Sequence, residues 1–496
     1  MFDVMSALSV SDLYRHQRAG LRHLVARGGV ACLFHDAGVG KTTTTLRYLE
    51  ALARKANRHV RVLVVAPLAA VATWPQETEK WLPADIDVDC AVLGGTIVQR
   101  ADAIASAIPG ATLARYNRIV TLGAGSLQIL VVNIDTFSQR RGKGHADMAT
   151  KLLNSVKRYN PDVLVVDELH TCRNYSNRQR LLARIAKHVP RRIGLTGTPM
   201  PKGIENVYRQ LQIIDPEVFP TSYNGFLDTY AVMGGFQGRE IVSYRRLDEF
   251  EEKLKDVAHV VKKEDALDLP PTTDVVVPVT LSAKELKAYQ EIKKELLTEL
   301  DSGEVITIDN ALVKSLRLRQ AALGFLPKPD GDGYAFLGTS KIAAAKSLIH
   351  ETLEGEKRIV VFTTFGNELE ALKQTLAATG TRIDVINGAT PSDDRLAIRK
   401  RFASSDPQRI VLIAQVGTVN VGINELVSAS NAVFTTLPLD RAVFDQAKAR
   451  LDRQGQTKPV TYYYIEASGT VDGVVRAAHQ TRADLESAIT AHIKSN

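Results

Sequence analysis

"GVACLFHDAGVGKTTTT" (residues 29–45) runs from an apolar stretch through a glycine-spaced turn into Lys-Thr and a helix-forming segment. Gly38 and Gly40 let the backbone approach a phosphate closely. Lys41 would then reach the β- and γ-phosphates of a nucleotide, and the Thr42 hydroxyl would ligate magnesium. His35 stands five residues before Gly40, where the strict P-loop pattern has its first glycine. A chance glycine turn capping a helix is the alternative. The order of strand, glycines, Lys-Thr and helix favours the phosphate site.

"VLVVDELH" (163–170) supplies the acids such a site needs. Asp167, at the tip of an apolar strand, can hold magnesium through water, and Glu168 can polarise an attacking water. The competing reading is an N-cap beside a surface glutamate. "GLTGTP" (194–199) ends the next apolar run. There Thr196 and Thr198 are small hydroxyls at a strand tip, able to bridge two domains.

These runs belong to two sets. The first is "GVACLF" (29–34), "RVLVVAP" (61–67), "ILVVNI" (129–134), "DVLVVDE" (162–168) and "RRIGLTG" (191–197). The second is "RIVVFTT" (358–364), "RIDVIN" (382–387), "RIVLIA" (409–414), "NAVFTT" (431–436) and "VTYYYIE" (460–466). Continuous apolar runs separated by helical stretches read as buried parallel strands, so the expectation is two α/β domains in tandem. The boundary falls at "ALDLPPTTD" (266–274), where Pro270 and Pro271 forbid a helix. The domains are thus 1–265, with a helical insertion at about 203–262, and 266–496. Ser282 and Glu285 are spaced as a capping box opening a helix, and "KPDGDGY" (328–334) reads as an exposed turn.

The chain has 496 residues, too many for one hydrophobic core, and its 45% hydrophobic and 24% charged composition is that of a globular protein. A net charge of +8 is compatible with a nucleic-acid partner. Cys32, Cys90 and Cys172 lie far apart without metal-ligand spacing, which suits a reducing compartment. The start, "MFDVMSALSV", lacks the pattern of a signal peptide, and no apolar run reaches the roughly 18 residues of a membrane span. The expectation is a soluble intracellular protein: cytoplasmic in a bacterium or phage-infected cell, nuclear in a eukaryote.

"DQAKARLDRQGQ" (445–456) carries Arg450 and Arg453, three apart and so sharing a face if helical. A solvated face is one reading, and a pair aimed at a phosphate is the other. The ensemble of motifs decides, because the chain resembles superfamily 2 helicase-type motors and, more narrowly, Swi/Snf-type ATPases from about Leu13 to Ile465. "LYRHQRAG" (13–20) resembles their adenine-recognition segment, with Gln17 as its glutamine. "HDAGVGKT" resembles Asp-Glu-x-Gly-x-Gly-Lys-Thr, with His35 and Asp36 departing from the two acids. "VVAPLAAVATWPQETEKW" (64–81) resembles motif Ia with both tryptophans, Trp74 and Trp81. "DELHTCRN" (167–174) is similar to Asp-Glu-Ala-His and its basic-Asn continuation, and "LTGTPMPKGIENVYRQLQIIDPEVF" (195–219) to motif III. "VVKKEDALDLPPTTDVVVPVTLSAKELKAY" (260–289) resembles the connection into the second motor domain. "INGATPSDDRLAIRKRF" (386–402) and "VGTVNVGINELVSAS" (416–430) resemble later motifs; in the latter Val419 and Asn420 replace a glycine pair. The arginine stretch resembles motif VI, with Gln446, Arg450, Arg453, Gly455 and Gln456 in place and Asp452 where a histidine is usual.

The resemblance implies two tandem RecA-like domains with a nucleotide cleft between them, ATP and Mg2+ as cofactors, and DNA as partner. Lys41, Asp167, Glu168, Arg450 and Arg453 would be catalytic. Gln17, Gly38, Gly40, Lys41, Thr42 and Gln446 would bind the nucleotide, and Thr42 and Asp167 the metal. An arginine finger contributes about 10³–10⁵ in rate. "SQRRGKGH" (138–145) offers Arg140, Arg141 and Lys143 on a glycine-flanked loop suited to DNA phosphates without base reading; a solvated loop is the alternative. No recognition-helix or zinc-finger pattern appears, so no sequence specificity is expected. The expected function is an ATP-dependent DNA translocase or remodelling motor, hydrolysing ATP on DNA and acting on duplex or branched DNA as a monomer. A strand-separating helicase is the runner-up, followed by an ATP-gated binding module without turnover, which the presence of Glu168, Arg450 and Arg453 disfavours. A P-loop kinase or GTPase is disfavoured by the tandem domains and by the lack of Asn-Lys-x-Asp. Compactness suggests a bare motor of phage or bacterial type.

Overall fold

The computed structural model describes residues 13–107, 125–138, 145–200, 203–235, 240–266, 269–301, 308–328, 334–377, 380–419, 425–481 and 485–494. The chain divides into two compact units, Met1–Asp268 and Leu269–Asn496.

The first unit is built on seven strands: β1 (Val30–His35), β2 (Val60–Ala66), β3 (Val88–Leu93), β4 (Leu127–Asn133), β5 (Val163–Asp167), β6 (Arg191–Leu195) and, after a small hairpin of β7 (Ala231–Gly234) and β8 (Glu240–Tyr244), β9 (Ala258–Val261). The order β3-β4-β2-β5-β6-β1-β9 is parallel throughout. Helices cover both faces, so alternate residues of one strand enter different cores. Cys32 and Phe34 of β1 join one hydrophobic cluster, Ala31 and Leu33 the other. Two-sided burial is why these strands read as unbroken apolar runs.

The second unit repeats the plan. Its sheet takes β10 (Thr272–Val279), β13 (Arg358–Thr363), β14 (Arg382–Ile386), β15 (Ile410–Gln415), β16 (Asn431–Phe434) and β17 (Val460–Ala467), while β11 (Phe325–Pro327) and β12 (Tyr334–Phe336) form a separate hairpin. The parallel order is β10-β17-β16-β13-β15-β14. The capping box is formed: Ser282 N donates to Glu285 Oε2 at 2.8 Å and Glu285 N to Ser282 Oγ at 3.3 Å. The Glu285 carboxylate also takes Ser340 N at 3.0 Å, fastening two helix starts together.

The expected helical insertion at 203–262 is a correction. Helices Glu205–Ile214, Tyr223–Tyr230 and Leu247–Val257 are present, but the β7–β8 hairpin lies among them. The segment then ends in β9, an edge strand of the main sheet that pairs with β1. Tyr208, Phe219, Phe226, Tyr230 and Phe250 form its aromatic core. Strand β10 follows the Pro270-Pro271 break directly. Among the described residues no helix is long and apolar enough to cross a membrane.

A buried ion pair gives a test of the second unit. Lys341 Nζ lies 2.6 Å from Asp472 Oδ2, with the two side chains 1% and 9% exposed. Asp472→Ala leaves a buried ammonium without its counter-charge, which destabilises by about 3–5 kcal/mol. Urea denaturation should show that loss in the second unit's transition, and a change within error of zero would refute it.

Candidate active site

Strand β1 delivers the chain into the turn Asp36–Gly40, and helix α2 (Lys41–Lys55) starts at once. Gly38 and Gly40 have φ of 84° and 90°, a left-handed backbone that glycine adopts without cost. A side chain at Gly40 would also strike Gln17, whose Nε2 lies 2.2 Å from where its Cβ would stand. Lys41 Nζ donates to His35 O at 2.7 Å and Asp36 O at 3.2 Å, folded back over the turn. Thr44 and Thr45 turn their hydroxyls to the carbonyls of Gly40 and Lys41, at 3.0 and 2.9 Å. Thr42 makes no such bond among the described residues, which leaves its hydroxyl at the helix start able to serve a cation.

Gln17 is buried on helix α1 (Arg15–Ala26) and leans on the same turn. Its Oε1 accepts from Tyr14 N at 3.1 Å and its Nε2 sits 3.5 Å from Val39 O. His16 Nε2 meets that carbonyl at 2.9 Å.

Asp167 ends β5, two strands away from β1 across β6, and both strand ends open on the same edge of the sheet. Its carboxylate is buried. Oδ2 accepts from Trp74 Nε1 at 3.1 Å and Oδ1 from Glu168 N at 2.9 Å. Burial, reinforced by the Glu168 charge, pushes the Asp167 carboxyl up to about 6, against the opposing pull of Lys41 and the two N–H donors. A buried carboxylate at a strand tip that a lysine charge reaches is a donor set suited to a divalent cation.

Glu168 adopts φ 48°, a strained backbone for a side-chain-bearing residue. Its Oε2 lies 3.2 Å from His170 Nδ1, which also meets Thr196 Oγ1 at 3.0 Å. Thr196 Oγ1 in turn accepts from Thr198 N at 3.1 Å. The Thr196 hydroxyl is therefore enclosed beside His170 within the first unit.

In the second unit the helix Arg441–Lys448 carries Gln446 and then stops. Arg450 and Arg453 lie in the turn beyond it, which corrects the expectation of a shared helical face. The chain there is tightened by Arg450 N to Ala447 O and Gln456 N to Arg453 O, at 3.2 and 3.0 Å, and reverses at Gly455 with φ 98°. Gln456 is buried and clamps this turn: Nε2 donates to Ala429 O at 2.9 Å, and Oε1 accepts from Thr457 N and Lys458 N, both 3.0 Å.

The first unit brings together Gln17, Gly38, Gly40, Lys41 and Thr42 at one turn, with Asp167 and Glu168 on the same sheet edge. Gln446, Arg450 and Arg453 all belong to the second unit, the first on the helix and the other two in the turn after it. Arg140, Arg141 and Lys143 lie outside the described residues. Sequence reasoning missed the Trp74–Asp167 bond and the His170–Thr196 bond. The Trp74 signal was present in the motif Ia resemblance, but the bond crosses 93 positions of chain.

Comparison with known proteins places these features in context. Residues 16–323 match the SNF2-related domain, and residues 340–455 the helicase conserved C-terminal domain. The mouse DNA annealing helicase and endonuclease ZRANB3 is 25% identical over 490 residues, covering 96% of this chain and 40% of that protein. This chain thus spans about two fifths of that relative's length. Putative protein p41 of Acyrthosiphon pisum secondary endosymbiont phage 1 is 25% identical over 468 residues, covering 90% of this chain and 92% of its own. Among solved structures, the Sulfolobus solfataricus SWI2/SNF2 ATPase core in complex with dsDNA aligns over 98% of this chain and 95% of its own at a TM-score of 0.39 and 18% identity.

The Asp167 environment predicts a pH signature. With its carboxyl raised from 3.8 to about 6, folding favours the protonated form, so this contribution is present at low pH and lost as pH rises through 6. Asp167→Asn should match the wild-type melting temperature below the lower value, then exceed it by several degrees above the upper one. Trp74→Phe removes one donor and should destabilise more at pH 8 than at pH 4. Calorimetric scans across that range check both, and pH-independent differences would contradict the assignment.

Proposed function

Because the chain belongs to the SNF2-related family, we propose that it is an ATP-driven DNA motor. On this reading it moves along duplex DNA or remodels branched DNA, and separates strands poorly. The observation that carries the hydrolytic half is the glycine turn with Lys41 on the same sheet edge as the buried Asp167 and its neighbour Glu168. Lys41 would exchange the carbonyls of His35 and Asp36 for nucleotide phosphates, and the N–H groups of the turn would join it. Gln17, against the turn, would read the adenine, and Gln446 would line the nucleotide from the second unit. Thr42 and Asp167 would hold Mg2+, which when bound neutralises phosphate charge. Glu168 would take the proton of the attacking water, steered by His170. Arg450 and Arg453 would stabilise the charge that develops on the transferred phosphoryl group.

The DNA half rests on the family, on the net positive charge and on the basic stretch Arg140, Arg141 and Lys143, which suits phosphates irrespective of base sequence. ZRANB3 is named as an annealing helicase, which supports remodelling over unwinding. The likeness to phage protein p41 along nearly its whole length supports a bacterial or phage-infected cytoplasm as the setting, and we take the motor to act as a monomer. One observation favours a strand-separating helicase instead: the β7–β8 hairpin exposes Val232, Met233 and Val242, as a wedge would.

Five outcomes are expected. Lys41→Ala weakens nucleotide binding. Glu168→Gln binds ATP without turning it over, and Arg450→Ala and Arg453→Ala each cut turnover by orders of magnitude. Alanine at Arg140, Arg141 and Lys143 together flattens the salt dependence of DNA binding by about one unit per lost contact. The wild-type chain displaces a triplex strand while unwinding a forked duplex poorly. Wild-type turnover in Glu168→Gln would sink the site assignment, and efficient unwinding without triplex displacement would favour the conventional helicase.

A further inference from the structure

Tyr175 is 65% exposed, eight residues beyond Asp167, yet its ring is not bare. The Arg180 guanidinium lies 5.1 Å from the ring centroid and that of Arg209 lies 4.8 Å away. Arg209 is also 4.4 Å from the Tyr223 ring and 5.3 Å from that of Tyr208. Among the described residues neither arginine forms an ion pair with a carboxylate. Arg180 hydrogen-bonds the Asn177 side chain. Glu205, one turn before Arg209, instead takes the Tyr244 hydroxyl at 2.6 Å.

We propose that Tyr175, Arg180 and Arg209 form a phosphate-binding surface for the DNA backbone, separate from the nucleotide turn. The inference rests on the DNA-motor reading above and names a place where that unit would hold its track. A guanidinium stacked on an aromatic ring keeps its N–H edge outward, in the fork geometry that phosphate oxygens accept. Packing against tyrosine also fixes the side chain before the ligand arrives, so less rotamer freedom is lost on binding. The surface follows β5 and β6 at the carboxyl edge of the sheet, where ligands of open α/β sheets gather.

The helix of Arg180 is also tied to the end of the β4 connection. Arg178, on the same helix as Arg180 (Asn177–Ala186), donates to Ser138 Oγ at 2.8 Å and pairs with Asp135. Ser138 is the residue from which the Arg140–Arg141–Lys143 segment departs. Base stacking on Tyr175 is not part of the proposal, because the arginines attend its ring; the surface reads phosphate, not sequence.

Anisotropy of a fluorescein-labelled duplex, titrated with the full chain over a range of NaCl, tests it. Arg180→Ala/Arg209→Ala should lower the slope of log K against log[salt] by about two units, and Arg180→Ala alone by about one. Tyr175→Ala should weaken binding, Tyr175→Phe should retain it, and exposed Lys187→Ala should leave slope and affinity unchanged. The single Arg180 variant, at a half-buried position that among the tyrosine rings touches only that of Tyr175, keeps the test decisive if loss of Arg209 disturbs the other tyrosines. Wild-type binding with an unchanged slope in Arg180→Ala would overturn this surface and leave the motor reading intact. Failure of the wild-type chain to bind any duplex would overturn both.

Discussion

A buried carboxylate governs one edge of the first unit's sheet. Asp167 must end β5 inside the protein, and a buried charge is tolerated only with donors on its oxygens. One donor is the Trp74 indole, so the helix Thr73–Trp81 has to lie over the sheet with that ring 1% exposed. The other is Glu168 N, which reaches Oδ1 as the backbone bends left-handed. That bend places the Glu168 carboxylate beside His170, and His170 beside Thr196 at the end of β6. Three connections at one sheet edge thus take their geometry from a single charge. The strain at Glu168 is the kind of local cost that surrounding packing has to hold in place.

The same economy explains what could be read from the amino-acid order. Central strands were legible because burial on both faces writes an unbroken apolar run, as in β2, β4 and β5. Of the edge strands only β14 was read, as "RIDVIN" (382–387); the other three were not. β3 is half-buried along most of its length, β9 has four residues, and most of β10 is exposed, so none carries that signature. The phosphate turn was legible because its glycines do a job no other residue does at φ near 90°. The pairing of Trp74 with Asp167 was not, since a hydrogen bond between distant segments leaves no periodic trace. Arg450 and Arg453 show the limit of spacing arguments: an interval of three fits a helix, but the helix ends at Lys448 and the pair sits in a turn that buried Gln456 holds.

Where the chain departs from its family's pattern, the substituted side chains have local work. Asp36 takes an acid's place with another carboxylate and spends it on the backbone: its Oδ2 accepts from Lys263 N at 2.9 Å, and its own N–H donates to Val261 O at 3.0 Å. His35 is fully buried, and its Nε2 meets His259 Nδ1 at 2.9 Å. Burial, then the nearby His259 and Lys41, holds His35 far below its usual range, at about 2, and burial holds His259 at about 4. Both rings are therefore neutral at physiological pH, and one nitrogen donates to the other. A carboxylate at position 35 would meet an imidazole there, in a fully buried site, and would need that imidazole protonated. The neutral pair avoids the buried charge altogether. Position 36 and position 35 together fasten the start of the phosphate turn to β9 and to the residue pair after it. The turn on which Lys41 depends is thereby anchored at the opposite end from α2, by contacts that an acid-acid sequence would have to make differently.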